Sequence, residues 1–293
     1  PLSFFHRDAK LYGSSGFFHR KQSRLTQKEL RRIHAHANEM RIRADLLLRE
    51  AEVETDARFY RLPREKYGTP EAAARELRRV WQLPGGPVRS VVGSIESAGG
   101  IVFLCDFKTP LVDGLSQWPI DDPTAMPVLF VNGDAPGDRM RFTLAHELGH
   151  IVMHHVPPED DPEDEANAFA SEFLMPAAEI ADDLSRLTLE KAASLKSFWR
   201  TSIASIVRRA FTLEKITERQ YRYLCMQIAK LGYHRREPIP IPQEEPELFD
   251  AIVKVHRTEH RHSDAQMAER MGMYLEEFQN EFGRSYSGLR LLA

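Results

Sequence analysis

Apolar residues recur at three- and four-residue steps from Leu25 to about Glu54, through Leu30, Ile33, Ala37, Met40, Ala44, Leu47 and Leu48, with Thr26 placed as a cap. That spacing predicts one long amphipathic helix. Leu62-Pro63 and Gly68-Thr69-Pro70 interrupt it; a second helix opens at Thr69 and Pro70, carries Ala73, Ala74, Leu77, Val80 and Trp81, and stops at Pro84-Gly85-Gly86-Pro87. A third is expected over Val88–Ala98. Three apolar runs then read as strands, Ile101–Cys105, Val112–Trp118 and Val128–Val131, separated by Thr109-Pro110 and residues 119–127. They predict a small antiparallel or mixed sheet. Helical spacing returns past Ala135-Pro136-Gly137-Asp138, from about Asp138 to His155, then over Pro162–Leu174 and Ala177–Leu184. Everything after Leu189 reads as helix except Glu237–Pro246, where Pro238, Pro240, Pro242 and Pro246 predict a stiff linker.

The pattern defines an α+β, mostly helical chain with a small three-stranded sheet and a helical C-terminal extension. Four parts are expected: an N-terminal helical segment (1–62), a domain holding the strands and the 138–155 helix (63–186), a helical, helix-turn-helix-like subdomain (187–237) and a C-terminal helical module (247–293). A net charge of −3 over 293 residues gives no general attraction to nucleic acid, so DNA contact would need a local basic surface. Two cysteines, Cys105 and Cys225, with no CxxC pairing, argue against a disulfide framework or a thiolate metal site and for a reducing cytoplasm. No stretch approaches the roughly 18 apolar residues of a membrane span, and there is no signal-peptide core at the N-terminus. The chain begins at Pro1 rather than Met, as expected for a processed or partial chain.

Chemistry concentrates in His146-Glu147-Leu148-Gly149-His150. Histidines four apart on a helix share one face, so both rings can bind one cation; Glu147, about 100° around, suits a general base rather than a ligand. Phe142, Leu144, Ala145, Leu148, Ile151, Val152 and Met153 make this helix apolar nearly all round, which predicts burial. Buried polar groups need partners, and a zinc ion with its water would supply them. Gly149 would admit another backbone or a substrate at close range. Two histidines leave zinc short of a ligand. On the 162–174 helix, Ala166, Phe169, Ala170, Phe173 and Leu174 define the core face; Glu163 lies roughly 50° from its centre and Glu165 roughly 110° away, so Glu163 is the better third ligand. Asn167, one turn on, could hold the second nitrogen of a ligating histidine. His154 and His155 are rival ligands, but they close the motif helix, where cations complement its dipole. Asp161 is the expected cap of the acidic first turn, with Pro162 behind it.

The segments R-F-T-L-A-H-E-L-G-H (141–150) and E-D-E-A-N-A-F-A-S-E-F-L-M-P (163–176), preceded by P-V-L-F-V-N (127–132), resemble the ImmA/IrrE family of metallopeptidases. The close similarity covers roughly 100–180, with a looser one through 195–210 to 235–238. The resemblance implies a gluzincin-like fold in which the sheet packs on the zincin-like helix, zinc on His146, His150 and Glu163 of an E-x-x-x-N pattern, and Glu147 as base. It also implies endopeptidase action on a transcriptional repressor of the helix-turn-helix class, in a stress or mobile-element response. Members often carry an upstream helix-turn-helix module; none is evident before Arg24.

Ser263–Phe282 has helix-turn-helix spacing through Ala268, Gly272 and Phe278, but its second helix carries Glu276, Glu277 and Glu281 and no cation, so phosphates would repel it. Lys196, Arg200, Arg208 and Arg209 form a better DNA candidate, yet Phe198, Trp199, Ile203, Ile206 and Val207 have ordinary core spacing. A DNA-binding regulator with a vestigial peptidase core and a zinc-occupancy sensor are the alternative functions.

Overall fold

The computed structural model describes residues 17–19, 25–48, 58–109, 111–119, 122, 125–154 and 162–282. The described residues fall into two compact units, each discontinuous in sequence: one drawn from Pro1–Phe59, Val92–Asp134 and Glu245–Ala293, the other from Tyr60–Val91 and Ala135–Glu244.

The first unit holds a mixed sheet of β1 (Phe17–His19), β2 (Ile101–Cys105), β3 (Gly114–Gln117) and β4 (Val128–Asn132), in the order β1-β3-β4-β2. β2 runs parallel to β4, with Ile101 beside Val128, and β3 runs antiparallel to β4 and to β1. The three predicted strands are all present, and the three-residue β1 adds to their edge. Alternate positions Ile101, Phe103, Cys105, Val128 and Phe130 share one core with Ile33, Ala37, Met40, Ala44 and Leu47 of the helix Gln27–Leu48. Phe249, Ile252, Met267, Met271, Phe278 and Phe282, from the helices Leu248–Thr258, Asp264–Met271 and Leu275–Phe282, complete it. Phe103 stacks on Phe130 at 5.5 Å and meets Phe249 edge-on at 5.1 Å.

Local chemistry fixes the ends of these helices. Thr26 accepts from Glu29 N while Glu29 Oε2 accepts from Thr26 N, a reciprocal cap that starts the long helix where expected. Its predicted last turn, beyond Leu48, lies outside the described residues. Glu96 accepts the backbone N–H groups of Glu247 and Leu248 at 3.0 Å, satisfying the start of the helix Leu248–Thr258. Burial pushes the Glu96 carboxyl up to about 7 despite those two bonds. In the C-terminal helices Gly272 takes the left-handed conformation (φ 66°) that closes the turn, and Ala268 and Phe278 are buried in the shared core.

The second unit is helical. Thr69 caps the helix Pro70–Val80 by accepting from Ala72 N at 3.2 Å. Three elements frame the functional region: this helix, the motif helix Gly137–Met153 and the helix Pro162–Leu174, which packs against both. Gly149 sets the closest approach: a Cβ there would lie 3.0–3.2 Å from Phe169, so the absent methyl lets the two helices come together. Around them lie the helices Leu189–Trp199, Ile203–Thr212 and Glu218–Lys230, capped by Thr188, Ser202 and Thr217.

Most of the cations in the 195–210 block serve this packing. Lys196 is buried between Asp138 and Glu237, and Arg209 between Glu172 and the Met175 carbonyl. Arg200 donates to the Arg89 carbonyl, while Arg208 is exposed over Phe211 and Tyr221. Residues 237–244 of the proline-rich segment are docked: Glu237 accepts from Ile203 N at 3.0 Å, Gln243 donates to the Ala135 carbonyl at 2.6 Å, and Glu244 pairs with buried Arg141. Gly137 makes room for this segment, because a Cβ there would sit 2.3–2.4 Å from the carbonyl oxygens of Pro242 and Ile241.

Candidate metal centre

The motif helix is buried along almost its whole length, with Leu144, Ala145, Leu148, Ile151 and Val152 at 0% exposure. Its C-terminal end is tied down by Leu62 N donating to the Val152 carbonyl and Arg61 to the Ile151 carbonyl, both at 2.7 Å. On this fixed rod the His146 and His150 rings stand nearly perpendicular, 84° apart, with their Nε2 atoms 3.1 Å from each other. Glu163, at the start of the next helix, brings Oε1 to 3.3 Å from His150 Nε2 and Oε2 to 3.5 Å from His146 Nε2. These three residues form the one cluster among the described residues with metal-ligand spacing, all ligand atoms lying within 4.8 Å of one another.

Two imidazole nitrogens and a carboxylate are a donor set that zinc accepts. Bonds of roughly 2.0–2.1 Å in a tetrahedron put ligand atoms about 3.3 Å apart. The observed separations of 3.1, 3.3 and 3.5 Å match that edge, so the residues present fit the ion. Electrostatics agree: burial pushes His150 down to about 4, which keeps its ring neutral. Burial pushes the Glu163 carboxyl upward, but hydrogen bonds from His146 and His150 outweigh it and hold the group below the usual carboxylate range. Glu147 is 1% exposed, on the same helix turn as the two histidines. Glu163, half-buried at 33%, is the part of the cluster that meets solvent.

Asn167 lies where the helical spacing placed it, with Oδ1 3.1 Å from His146 Nδ1. Two further residues join the cluster in ways the sequence reasoning missed. His154 Nδ1 lies 2.9 Å from His150 Nδ1, and His154 Nε2 lies 2.9 Å from Glu165 Oε2. The expectation that His154 acts as a cation at the end of a helix dipole is therefore corrected. It is 4% exposed, and burial lowers its pKa, so the ring is held neutral against its neighbours. A signal was present: 146, 150 and 154 form an uninterrupted four-residue series, which places all three rings on one stripe. Glu165, off the core face of its own helix, still reaches His154. The expected Asp161 cap, the acids Glu159 and Asp160, and His155 lie outside the described residues.

Among known proteins, residues 95–211 match the family model described as the IrrE N-terminal-like domain, a peptidase family, and the matched span contains every member of this cluster. No curated protein matches the chain.

Proposed function

We propose, on the premise that residues 95–211 match the IrrE N-terminal-like peptidase family, that this chain is a zinc-dependent endopeptidase making a limited cut in a helix-turn-helix transcriptional repressor, in control of a stress or mobile-element response. The observation that carries the reading is the convergence of His146 Nε2, His150 Nε2 and the Glu163 carboxylate at near-tetrahedral spacing on buried helices. His146, His150 and Glu163 would hold the ion, and Asn167 orients the first of them. When bound, zinc supplies a Lewis acid that makes water nucleophilic near neutral pH.

The chain's own residues supply the rest. Glu147 is the one remaining carboxylate on the motif turn; it takes the proton of the attacking water and delivers it to the leaving amine. The histidines hold their donor atoms fixed because their rings are buried on the motif helix, at 3% and 1% exposure. Substrate enters from the side on which Glu163 meets solvent, past the first-turn acids Glu163, Asp164 and Glu165. That negative rim favours basic or apolar chain segments over acidic ones. Repressors that bind DNA are basic as a class, and a peptidase must receive an extended segment, so the expected target is an exposed loop or interhelical segment. The cytoplasm is the proposed compartment, supported by two cysteines that remain thiols. Incubating the zinc-loaded chain with candidate repressors and with a denatured general substrate tests the reading. One discrete cut in one repressor is expected; broad digestion, or no repressor cut by any wild-type preparation, contradicts it.

A further inference from the structure

The unit that holds the sheet contains a cavity of about 330 Å³ between the helix Gln27–Leu48 and the strands β2 and β4. Ile33, Ala37, Met40, Cys105, Phe107 and Phe130 line its depth and are all buried. Arg32, Ala35 and Lys108, which are exposed, and half-buried His36 stand at its mouth. We propose that this cavity binds a small carboxylate with an apolar body, and that Arg32 and His36 receive its charged head.

Protein interiors pack with few voids larger than a water molecule. A space of this size instead falls within the roughly 300–1,000 Å³ of small-molecule sites, which are mostly apolar with a few placed polar groups. Ala35 and Ala37 supply only methyl groups on the helical side, which leaves the room. The depth of the cavity is uncharged, because burial pushes the Cys105 thiol up and keeps it protonated. Whatever fills that depth must therefore be apolar, since a polar group there would lose its water and gain no partner.

The mouth specifies the head. Asp106 is satisfied by Lys108, whose backbone N–H donates to Oδ1 at 2.8 Å and whose Nζ lies 2.7 Å from Oδ2. Glu39 accepts from Arg43 at 2.6 Å and faces His36 Nδ1 at 3.4 Å. Both acids at the mouth thus have cations of their own, and Arg32 is the remaining one. Its acidic neighbour on the helix, Glu29, accepts from the N–H and the hydroxyl of Thr26. His36 Nε2 is buried and has no hydrogen-bond partner, which is costly for a polar nitrogen. A carboxylate at the mouth offers Arg32 a two-pronged partner and places an oxygen on Nε2. Flanked by that oxygen and by Glu39, the ring donates from both nitrogens as imidazolium. An alcohol would satisfy Nε2 and leave Arg32 without a counter-charge.

Calorimetric titration of the full chain, with zinc and again after chelation, tests this with two carboxylates and their alcohols: octanoate against octanol, and indole-3-acetate against indole-3-ethanol. At least one carboxylate should bind one per chain, before and after chelation, about tenfold or more tighter than its alcohol. A preference for octanoate assigns an aliphatic body, and one for indole-3-acetate an aromatic body. Arg32→Gln, at an exposed position, should bring the carboxylate down to the level of its alcohol and leave the alcohol unchanged. Ala35→Trp, which covers the mouth from outside the core, should abolish binding of both. Binding of neither carboxylate to wild type overturns the proposal, as does an alcohol that binds as tightly as its acid, binding lost on chelation, or full binding in Ala35→Trp. The wild-type titrations decide the matter even if a variant fails to fold. Zinc takes no part in the proposed site, so failure here leaves the peptidase reading standing, and failure of that reading leaves this one to its own test.

Discussion

Glu147 and His150 occupy the same buried turn, and their charges answer to different demands. Glu147→Gln leaves the three donor residues untouched, so it should retain one zinc per chain by metal analysis and lose hydrolysis of any substrate found. An active Glu147→Gln protein would rule out the base assignment. Glu163→Ala should weaken zinc binding well beyond the loss caused by Glu165→Ala, because Glu163 faces both Nε2 atoms while Glu165 faces His154; chelator competition on both variants measures it. The histidine carries a pH signature as well. His150 falls from 6.5 to about 4 on folding because of burial, so between those values the unfolded chain binds more protons. The stability this group contributes is complete above pH 6.5 and is lost as pH falls through the folded value, up to roughly 3 kcal/mol for the metal-free protein. Glu163, held below 4.5, acts in the same sense at lower pH. Denaturant titrations across pH 7 to 4 should show the decline, and His150→Gln should flatten its upper part; an unchanged slope in that variant would refute the attribution.

At the scale of elements, the centre depends on how close two helices lie. A methyl added at Gly149 would press on Phe169 at 3.0–3.2 Å. Gly149→Ala therefore forces a shift of a few tenths of an ångström, at about 1–3 kcal/mol for an overpacked core. The same shift carries Glu163 away from the histidines, so zinc affinity should fall along with the melting temperature. A variant with wild-type affinity would show that Phe169 yields without moving its helix. Gly137 is the more severe case, since its neighbours are carbonyl oxygens that cannot rotate away. Gly137→Ala is expected to dislodge residues 237–244, and protease nicking in that segment would report it.

For the molecule as a whole, the helices after Glu247 are structural rather than appended. Phe249, Ile252, Met267, Met271, Phe278 and Phe282 are buried in the same core as the sheet and the helix Gln27–Leu48. Burying one such side chain contributes about 1.5–3 kcal/mol, so the six together are comparable to the whole stability of an ordinary domain, about 5–15 kcal/mol. A chain ending at Pro246 should aggregate or melt without cooperativity; a soluble fragment with a sharp thermal transition would disprove it. The acidic helix Leu275–Phe282, with Glu276 and Glu277 exposed, should give the full-length protein no DNA affinity at physiological salt by gel shift.

Periodicity made most of the elements legible. The bounds of β2 and of the helix Pro162–Leu174 were read directly, and Thr69, Pro70 and Thr26 marked helix starts through their own side-chain chemistry. His146, His150 and Glu163 were readable because a helix places residues four apart on one face, and a wheel gives the phase of a carboxylate against a core. Such arguments work within one element, where covalent geometry fixes direction. They do not extend between elements. The Glu165 to His154 contact joins two helices across a gap set by Gly149 and Phe169, and that distance is a product of packing. The three-residue β1 is too short to show a period, and its partner β3 lies far along the chain. The buried pairs of Lys196 with Asp138 and Arg209 with Glu172 likewise looked like surface charge in the linear sequence. Sequence determined which residues could carry the chemistry, because side-chain type and helical phase are local. Tertiary structure decided which of them meet and which charges are buried, because both depend on distances that only the packed chain defines.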